Sequence, residues 1–313
     1  MIFVHGSNLQ QKEQHPTKYR DEISVSYLRE IRAMYDKWSA DNQELIGPTS
    51  TKALDDFKVI ERRVELLEAY KNFIDQQKYA EQFDSRSNLH SSVLEEFLYY
   101  LFRDLVNDFG NKALLGKSHT FKDIFFMPQN YRSMINKPNA TIERKDHDFV
   151  IGVRVKGSFM SVTEDEVPLD IPQDQLAISE VLTPYNANQE ETHYFDIPAV
   201  VIECKTYLDK TMLEGSSRAA EELKARNPNG LYIVVMEWLK LTEDINLKKY
   251  KVDQIYVFRR QKNTDREYRY LPDYVKKPID PRVIHHLFEM VRNHLISDWK
   301  GGINFGLERG WLV

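Results

Sequence analysis

The chain has 313 residues, 42% hydrophobic and 12% aromatic, enough for one large domain or two modest ones around a substantial core. Its formal net charge of −5 argues against indiscriminate nucleic-acid binding through an overall basic surface. The single cysteine, Cys204, excludes an intrachain disulfide framework and a cysteine-built zinc site, and fits a reducing compartment.

The opening residues Met1-Ile2-Phe3-Val4-His5-Gly6 are apolar too briefly, and lack the basic leader, for a signal peptide. No later apolar run approaches the ~18 to 20 residues that span a bilayer, so a cytoplasmic protein without a membrane partner is expected. From about Lys18 to Gln82 the pattern is helical. Ile23, Tyr27, Ile31 and Tyr35 form one apolar stripe, and Phe57, Ile60, Val64, Leu67 and Phe73 support a second. Gly47-Pro48-Thr49-Ser50 separates the two as a turn. Residues 1–85 are therefore expected to form a helical N-terminal region that packs on the rest of the fold, contacts DNA or mediates dimerisation, with packing alone the first expectation, and 86–313 to form the rest of the fold.

Ser91 and Ser92 are placed to cap a further helix, in which Leu94, Leu98 and Leu101 recur at helical spacing up to Phe102. Glu95 stands three before Leu98 and seven before Phe102, on the face those residues bury, whereas Glu96 projects further round. An acid on the core side of a helix is costly unless it is paired or reaches a metal. Between Phe109 and Pro138 the pattern is irregular, with Gly110, Gly116, Pro128 and Pro138 marking loops. Ala140 to Lys156 reads as one or two strands ending at Gly157, and Asp148 opens the apolar run Phe149-Val150-Ile151-Gly152-Val153.

A polar stretch with acids and prolines extends from there to Ile197, too long for a hairpin turn. It is either an insertion with base-reading loops or a solvated excursion. Just after Pro198 a strand begins with Ala199-Val200-Val201-Ile202 and closes on Glu203-Cys204-Lys205. Strand residues alternate faces, so Glu203 and Lys205 point one way, and Ile202 and Cys204 the other. A helix pattern from Thr211 through Ala225 is halted by Asn227-Pro228-Asn229-Gly230, and Leu231-Tyr232-Ile233-Val234-Val235-Met236 is a strongly apolar strand. Strand, helix and strand of these lengths favour a right-handed parallel crossover. Ile255-Tyr256-Val257-Phe258 is a further strand, Arg259 to Arg266 a charged turn, and Val283 to Ile296 a late amphipathic helix. From Lys224 onwards 17 Lys and Arg face 11 Asp and Glu, so any DNA contact is expected to draw on this C-terminal part, unless the asymmetry is chance surface variation.

Set side by side, the two central strands bring Asp148, Glu203 and Lys205 to one point: two oxygen donors and an ammonium. Carboxylates and water hold a hard divalent cation such as Mg²⁺, which activates water and stabilises charge in phosphodiester hydrolysis. Lys205 would orient or deprotonate the attacking water, or neutralise the pentavalent phosphate. A strand register shifted by two would put Asp146 in the place of Asp148.

Acid, strand, long spacer and Glu-x-Lys at a strand end, in that order, resemble the PD-(D/E)xK nuclease superfamily over roughly Leu89 to Trp238, with His147 standing where the family usually has proline. The motif is short, and Glu222-Leu223-Lys224 repeats it in a helix pattern; its placement after four apolar residues gives it weight. The resemblance implies a restriction-endonuclease-like α/β fold, a mixed sheet core flanked by helices, joined to the helical N-terminal region. It implies Asp148, Glu203 and Lys205 as catalytic residues, with Glu95 as the helix acid at the edge of the active site and Glu96 as its substitute. It also implies Mg²⁺, replaceable by Mn²⁺, held by Asp148, Glu203 and the Cys204 backbone carbonyl. Lys205-Thr206-Tyr207-Leu208-Asp209 through Gly215 resembles the segment after the catalytic lysine in type II restriction endonucleases that cut interrupted palindromes.

The expected function is that of a type II restriction endonuclease: Mg²⁺-dependent, sequence-specific hydrolysis of double-stranded DNA. One active site per chain favours a twofold homodimer on a palindromic site, and a cognate DNA methyltransferase is expected in the same restriction-modification system. Two other readings stay open. One is a repair or recombination nuclease with the same centre; the other is a non-catalytic DNA-binding protein in which Glu203 and Lys205 are only a strand-end ion pair. Elsewhere, His285, His286 and His294 lack the i, i+4 pair of a helical zinc site, and Tyr99 and Tyr100 read as core and boundary residues. Arg218, Arg259 and Arg260 either reach guanine edges or phosphates or are solvated.

Overall fold

The structure, a computed structural model, describes residues 3–83, 88–161, 191–263 and 269–299, with residues 307 and 310. Five helices come first: α1 (Val4–Glu13), α2 (Glu22–Glu44), α3 (Asp56–Ile74), α4 (Gln77–Gln82) and α5 (Asn88–Asn107). After them come β1 (Ala113–Phe126), α6 (Tyr131–Asn136), β2 (Ala140–Phe159), β3 (Glu191–Leu208), α7 (Lys210–Arg226), β4 (Leu231–Leu239), β5 (Gln254–Val257) and α8 (Pro281–Ile296). The strands form one mixed sheet in the order β1-β2-β3-β4-β5, with β1 also pairing with β3. β3, β4 and β5 are parallel neighbours, with Glu203 opposite Val234 and Lys205 opposite Met236.

Contacts divide the chain into two compact units. One comprises Met1–Ser118, His147–Val153 and Pro198–Val313. In it, side-chain alternation on the strands sends residues into two apolar layers. Val200, Ile202 and Cys204 of β3, with Ile233 and Val235 of β4, pack against Leu94, Phe97, Leu98 and Leu101 of α5 and Leu287 and Phe288 of α8. Val150, Val201, Tyr232, Val234 and Met236 face the other way, onto Leu213, Ala219, Ala220 and Leu223 of α7. A strand covered on both faces reads as a continuous apolar run, as Leu231 to Met236 does. Each fully buried Val, Leu, Ile, Phe or Met among them stabilises the fold by about 1.5–3 kcal/mol.

Arg63 of α3, buried completely, donates to the carbonyls of Asn42, Leu45 and Gly47 at 3.0, 2.8 and 2.8 Å. It thereby satisfies acceptors that the end of α2 leaves unpaired. Asp209 caps α7 through Met212 N–H, and Asp280 caps α8 through Arg282 N–H.

The second unit comprises His119–Asp146 and Arg154–Ile197. Thr120 of β1 pairs with Asp196 of β3, and Arg154 grips the Asp196 carboxylate with two nitrogens at 2.6 and 2.9 Å. Phe195 lies against Gly157, where an added Cβ would come within 2.9 Å of the ring. The expected recognition insertion falls mostly on residues 162–190, outside the described residues, as does part of the charged turn after Arg259.

Several local expectations are corrected. Asp148 lies inside β2 rather than opening it, because the strand residues Glu143-Arg144-Lys145-Asp146 before it are polar and exposed and carry no apolar signature. Pro198 likewise lies within β3. The irregular stretch after Phe109 contains β1, with Gly116 held inside the strand at φ +117°, a left-handed value that glycine tolerates. Helix α5 starts at Asn88, so Ser91 and Ser92 lie inside it. On α2, Ile23 is exposed, and the buried stripe runs through Leu28, Ile31, Tyr35 and Trp38. Helix α1 was not legible at all. Among the described residues no helix is long and apolar enough to cross a membrane.

Candidate active site

Asp148 shares its strand face with Val150, and Glu203 and Lys205 share theirs with Val201, so all three side chains emerge on the α7 side of adjacent strands. The Lys205 ammonium lies 2.8 Å from Glu203 Oε2 and 3.1 Å from Asp148 Oδ2. The Cys204 N–H donates to the same Asp148 oxygen at 2.9 Å. Asp148, from β2, thus meets Glu203 and Lys205 of β3 through one lysine nitrogen and one backbone amide.

Glu203 is positioned further by the Tyr232 hydroxyl, which donates to its Oε1 at 2.8 Å, and by His147 Nδ1 at 3.9 Å. Burial pushes its carboxyl up, but His147, the Lys205 ammonium and Tyr232 outweigh that and hold it down at about 2. Burial also works against the Lys205 charge, yet the Asp148 and Glu203 carboxylates raise its pKa above the ordinary lysine value. The two carboxylates thus favour the charged form of Lys205.

Glu95 reaches this cluster from α5. It lines a cavity of about 420 Å³ together with Asn8, Lys117, Asp148, Cys204 and Lys205. Burial, and next the charge of Asp148, push its carboxyl up to about 7, against the opposing influence of Lys117 and Lys205. Its Oε2 is buried with no hydrogen-bond partner among the described residues. A carboxylate oxygen so placed is costly unless a cation or a bound water completes it.

The donor set suits a hard cation: carboxylates of Asp148, Glu203 and Glu95 and the Cys204 carbonyl, all oxygen. Among the described residues no three His, Cys, Asp or Glu side chains converge closely enough to hold an ion alone. Water would have to complete the shell, which is how Mg²⁺ is commonly held.

Glu96 does not stand in for Glu95. Its carboxylate is buried against α1 and α2, accepting from the His5 and Gly6 amides and from the Tyr35 and Tyr100 hydroxyls. Asp146 pairs with His119 of β1 and is largely exposed. Arg259 is not a DNA-reaching arginine: it is fully buried, bound to Glu237 at 2.6 Å and Glu68 at 2.8 Å. Arg218 and Arg260 are exposed, paired with Glu222 and Asp280. His286 Nδ1 bonds the Tyr256 hydroxyl at 2.7 Å, and His285 approaches Glu289 at 3.6 Å. Tyr100 is a core residue and Tyr99 packs on the core edge.

Asn8, Lys117 and Tyr232 were missed by sequence reasoning. Tyr232 becomes evident once Val201 is placed opposite it in the parallel register, which sets its ring on the Glu203 face. Nothing local marks the other two.

The family model of the Bpu10I restriction endonuclease matches residues 86–312. A solved chain of the native BbvCI A2B2 tetramer has a similar fold, with a TM-score of 0.61 and 19% sequence identity over 93% of this chain and 94% of that chain. No curated protein sequence matches the chain.

Proposed function

The chain belongs to the Bpu10I restriction endonuclease family and is a type II restriction endonuclease, and we propose that Asp148, Glu203, Lys205 and Glu95 are its cleavage centre, built on the PD-(D/E)xK pattern. The observation that carries this reading is the Lys205 ammonium set between Asp148 and Glu203 at the wall of a cavity also lined by Glu95, whose Oε2 is buried without a hydrogen-bond partner among the described residues. Family membership sets aside the repair and the non-catalytic readings.

Restriction endonucleases generally use a divalent metal; we assign Mg²⁺, with Mn²⁺ as substitute, to Asp148, Glu203 and the Cys204 carbonyl. When bound, the cation supplies a Lewis acid and an activated water. Glu203, kept ionised by His147, Lys205 and Tyr232, offers a preorganised carboxylate. Lys205, kept protonated, faces the non-bridging oxygens of the scissile phosphate, where negative charge builds in the transition state. Glu95 orients water at its Oε2. The stretch after Lys205 supports a target of the interrupted-palindrome kind, and a cognate DNA methyltransferase and a cytoplasmic setting complete the reading.

Two assemblies supply the second cut. A twofold homodimer matches a palindromic site. The A2B2 composition of the BbvCI tetramer favours pairing with a different chain, which would break the twofold symmetry of the target. Digestion of a plasmid of known sequence with Mg²⁺, then sequencing of the ends, tests both. Double-strand ends at a recurring sequence support the homodimer, site-specific nicks in one strand support the mixed assembly, and intact DNA refutes the cleavage centre when the second chain is also supplied.

A further inference from the structure

We propose that α1 forms part of the DNA-binding surface, carrying the phosphates that flank the scissile one along Asn8, Gln11, Lys12, His15 and Lys18. This rests on the reading of the Glu95–Lys205 cavity as the cleavage centre. Asn8 is the common wall: it lines that cavity and also an adjoining one of about 160 Å³, shared with Gln11, Lys12, His15, Lys18 and Tyr19.

The three of them within α1 fall on one helical face, and His15 and Lys18 follow its C-terminal end. Asn8, Gln11 and Lys12 stand at i, i+3 and i+4, while His5 and Leu9 point into the core. The groove is cationic and amide-lined, the composition that phosphate contacts use. Its nearby acid, Glu13, is taken up by Arg32 through two bonds of 2.9 Å. The Nδ1 of His15 accepts from the Thr17 and Lys18 amides at 3.3 and 3.0 Å, which leaves Nε2 as the protonated, donating nitrogen. Asn8 to Lys12 rise about 6 Å along the helix, the axial reach of about two successive phosphates on one strand, and His15 and Lys18 line the same groove beyond the helix end.

The helix is held rigidly enough for this role. The N-cap residue, Phe3, has no capping side chain, and the Glu96 carboxylate supplies the cap from α5, accepting from His5 N–H at 3.0 Å and Gly6 N–H at 3.2 Å. The Tyr35 and Tyr100 hydroxyls, at 3.1 and 2.8 Å, fix the other Glu96 oxygen. At Gly6 an added Cβ would come within 2.3 Å of the Tyr35 hydroxyl. Adjacent residues of one helix thus serve two purposes: Glu95 lines the cleavage cavity, and Glu96 docks the track that leads from it.

The test uses the full chain, with its partner chain if one is needed, and a mixed-sequence duplex of about 30 base pairs in Ca²⁺, read by fluorescence anisotropy between about 50 and 200 mM salt. The variant Lys12→Ala/Lys18→Ala is expected to bind roughly 10-fold more weakly and to flatten the slope of log K against log salt by about 2. A charge-matched control at exposed lysines outside the groove, Lys37→Ala/Lys58→Ala, is expected to keep the wild-type slope. An unchanged slope in the α1 variant, or an equal loss in the control, overturns the proposal. Full cleavage by Asp148→Asn would instead overturn the cleavage-centre reading and take this proposal with it.

Discussion

The Lys205 ammonium lies 2.8 Å from Glu203 Oε2, a neighbour two residues back on the same strand face. The pair is about three-quarters or more shielded from solvent, with Asp148 as the third member. Replacing Lys205 by Met keeps the stem and removes the charge. Cleavage is expected to fall by roughly 10²- to 10³-fold, the scale for losing one preorganised charge-stabilising group, while Ca²⁺-supported DNA binding stays within a few-fold of wild type. Single-turnover cleavage and anisotropy read the two effects separately. Retained cleavage would leave Lys205 as an ion-pair residue only.

Glu95→Gln separates catalytic from structural roles. The Glu95 carboxyl is pushed up from 4.5 to about 7, first by burial and then by the Asp148 charge. The fold therefore favours its protonated form. The stability this group contributes is full below about 4.5 and is lost as pH rises through 7. Metal-free Glu95→Gln is expected to melt above wild type at about pH 8, to differ little at about pH 5, and to lose activity. A lower melting temperature at the higher pH would contradict this assignment.

Buried charges also hold the N-terminal helices to the sheet. Glu237 of β4 binds Lys71 of α3 at 2.9 Å and Arg259 at 2.6 Å. Burial raises its pKa, but those two cations outweigh burial and bring it to about 2. Its stabilising contribution is thus present above about 4.5 and fades as pH falls through 2. Glu237→Gln leaves buried cations short of a counter-charge and is expected to cost about 3–5 kcal/mol, read from urea unfolding. A loss under about 1 kcal/mol would show the cluster to be dispensable.

The docking of α1 has its own signature. Gly6→Ala places a methyl group against the Tyr35 hydroxyl, and about 1–3 kcal/mol of destabilisation is expected from overpacking. Chemical denaturation measures it. A neutral effect would mean that Tyr35 moves aside freely.

The sheet centre and half of the candidate site were legible because their signals are local. Strand alternation alone put Glu203 and Lys205 together, and the strand, helix and strand from Ala199 to Met236 gave the parallel pairing found between β3 and β4. Other parts depend on partners far along the chain. Helix α1 turns His5 and Gly6 inward and is held by Glu96, some 90 residues away, so it has little apolar periodicity of its own. Arg259 looked like a surface cation until Glu68, 191 residues earlier, and Glu237 enclosed it. Lys117 sits beside a positive-φ glycine in a strand whose sequence reads as loop.

Asp148→Asn tests the cleavage centre most directly, since it keeps the acceptor for the Cys204 amide while removing the charge that faces Lys205 and a cation. Plasmid incubated with Mg²⁺, and with the second chain if one is needed, is expected to be nicked or cut at a recurring sequence by the wild-type enzyme and left untouched by Asp148→Asn in the strand this chain cleaves, with the variant still binding duplex DNA in Ca²⁺. Cutting at the wild-type rate by Asp148→Asn would contradict it.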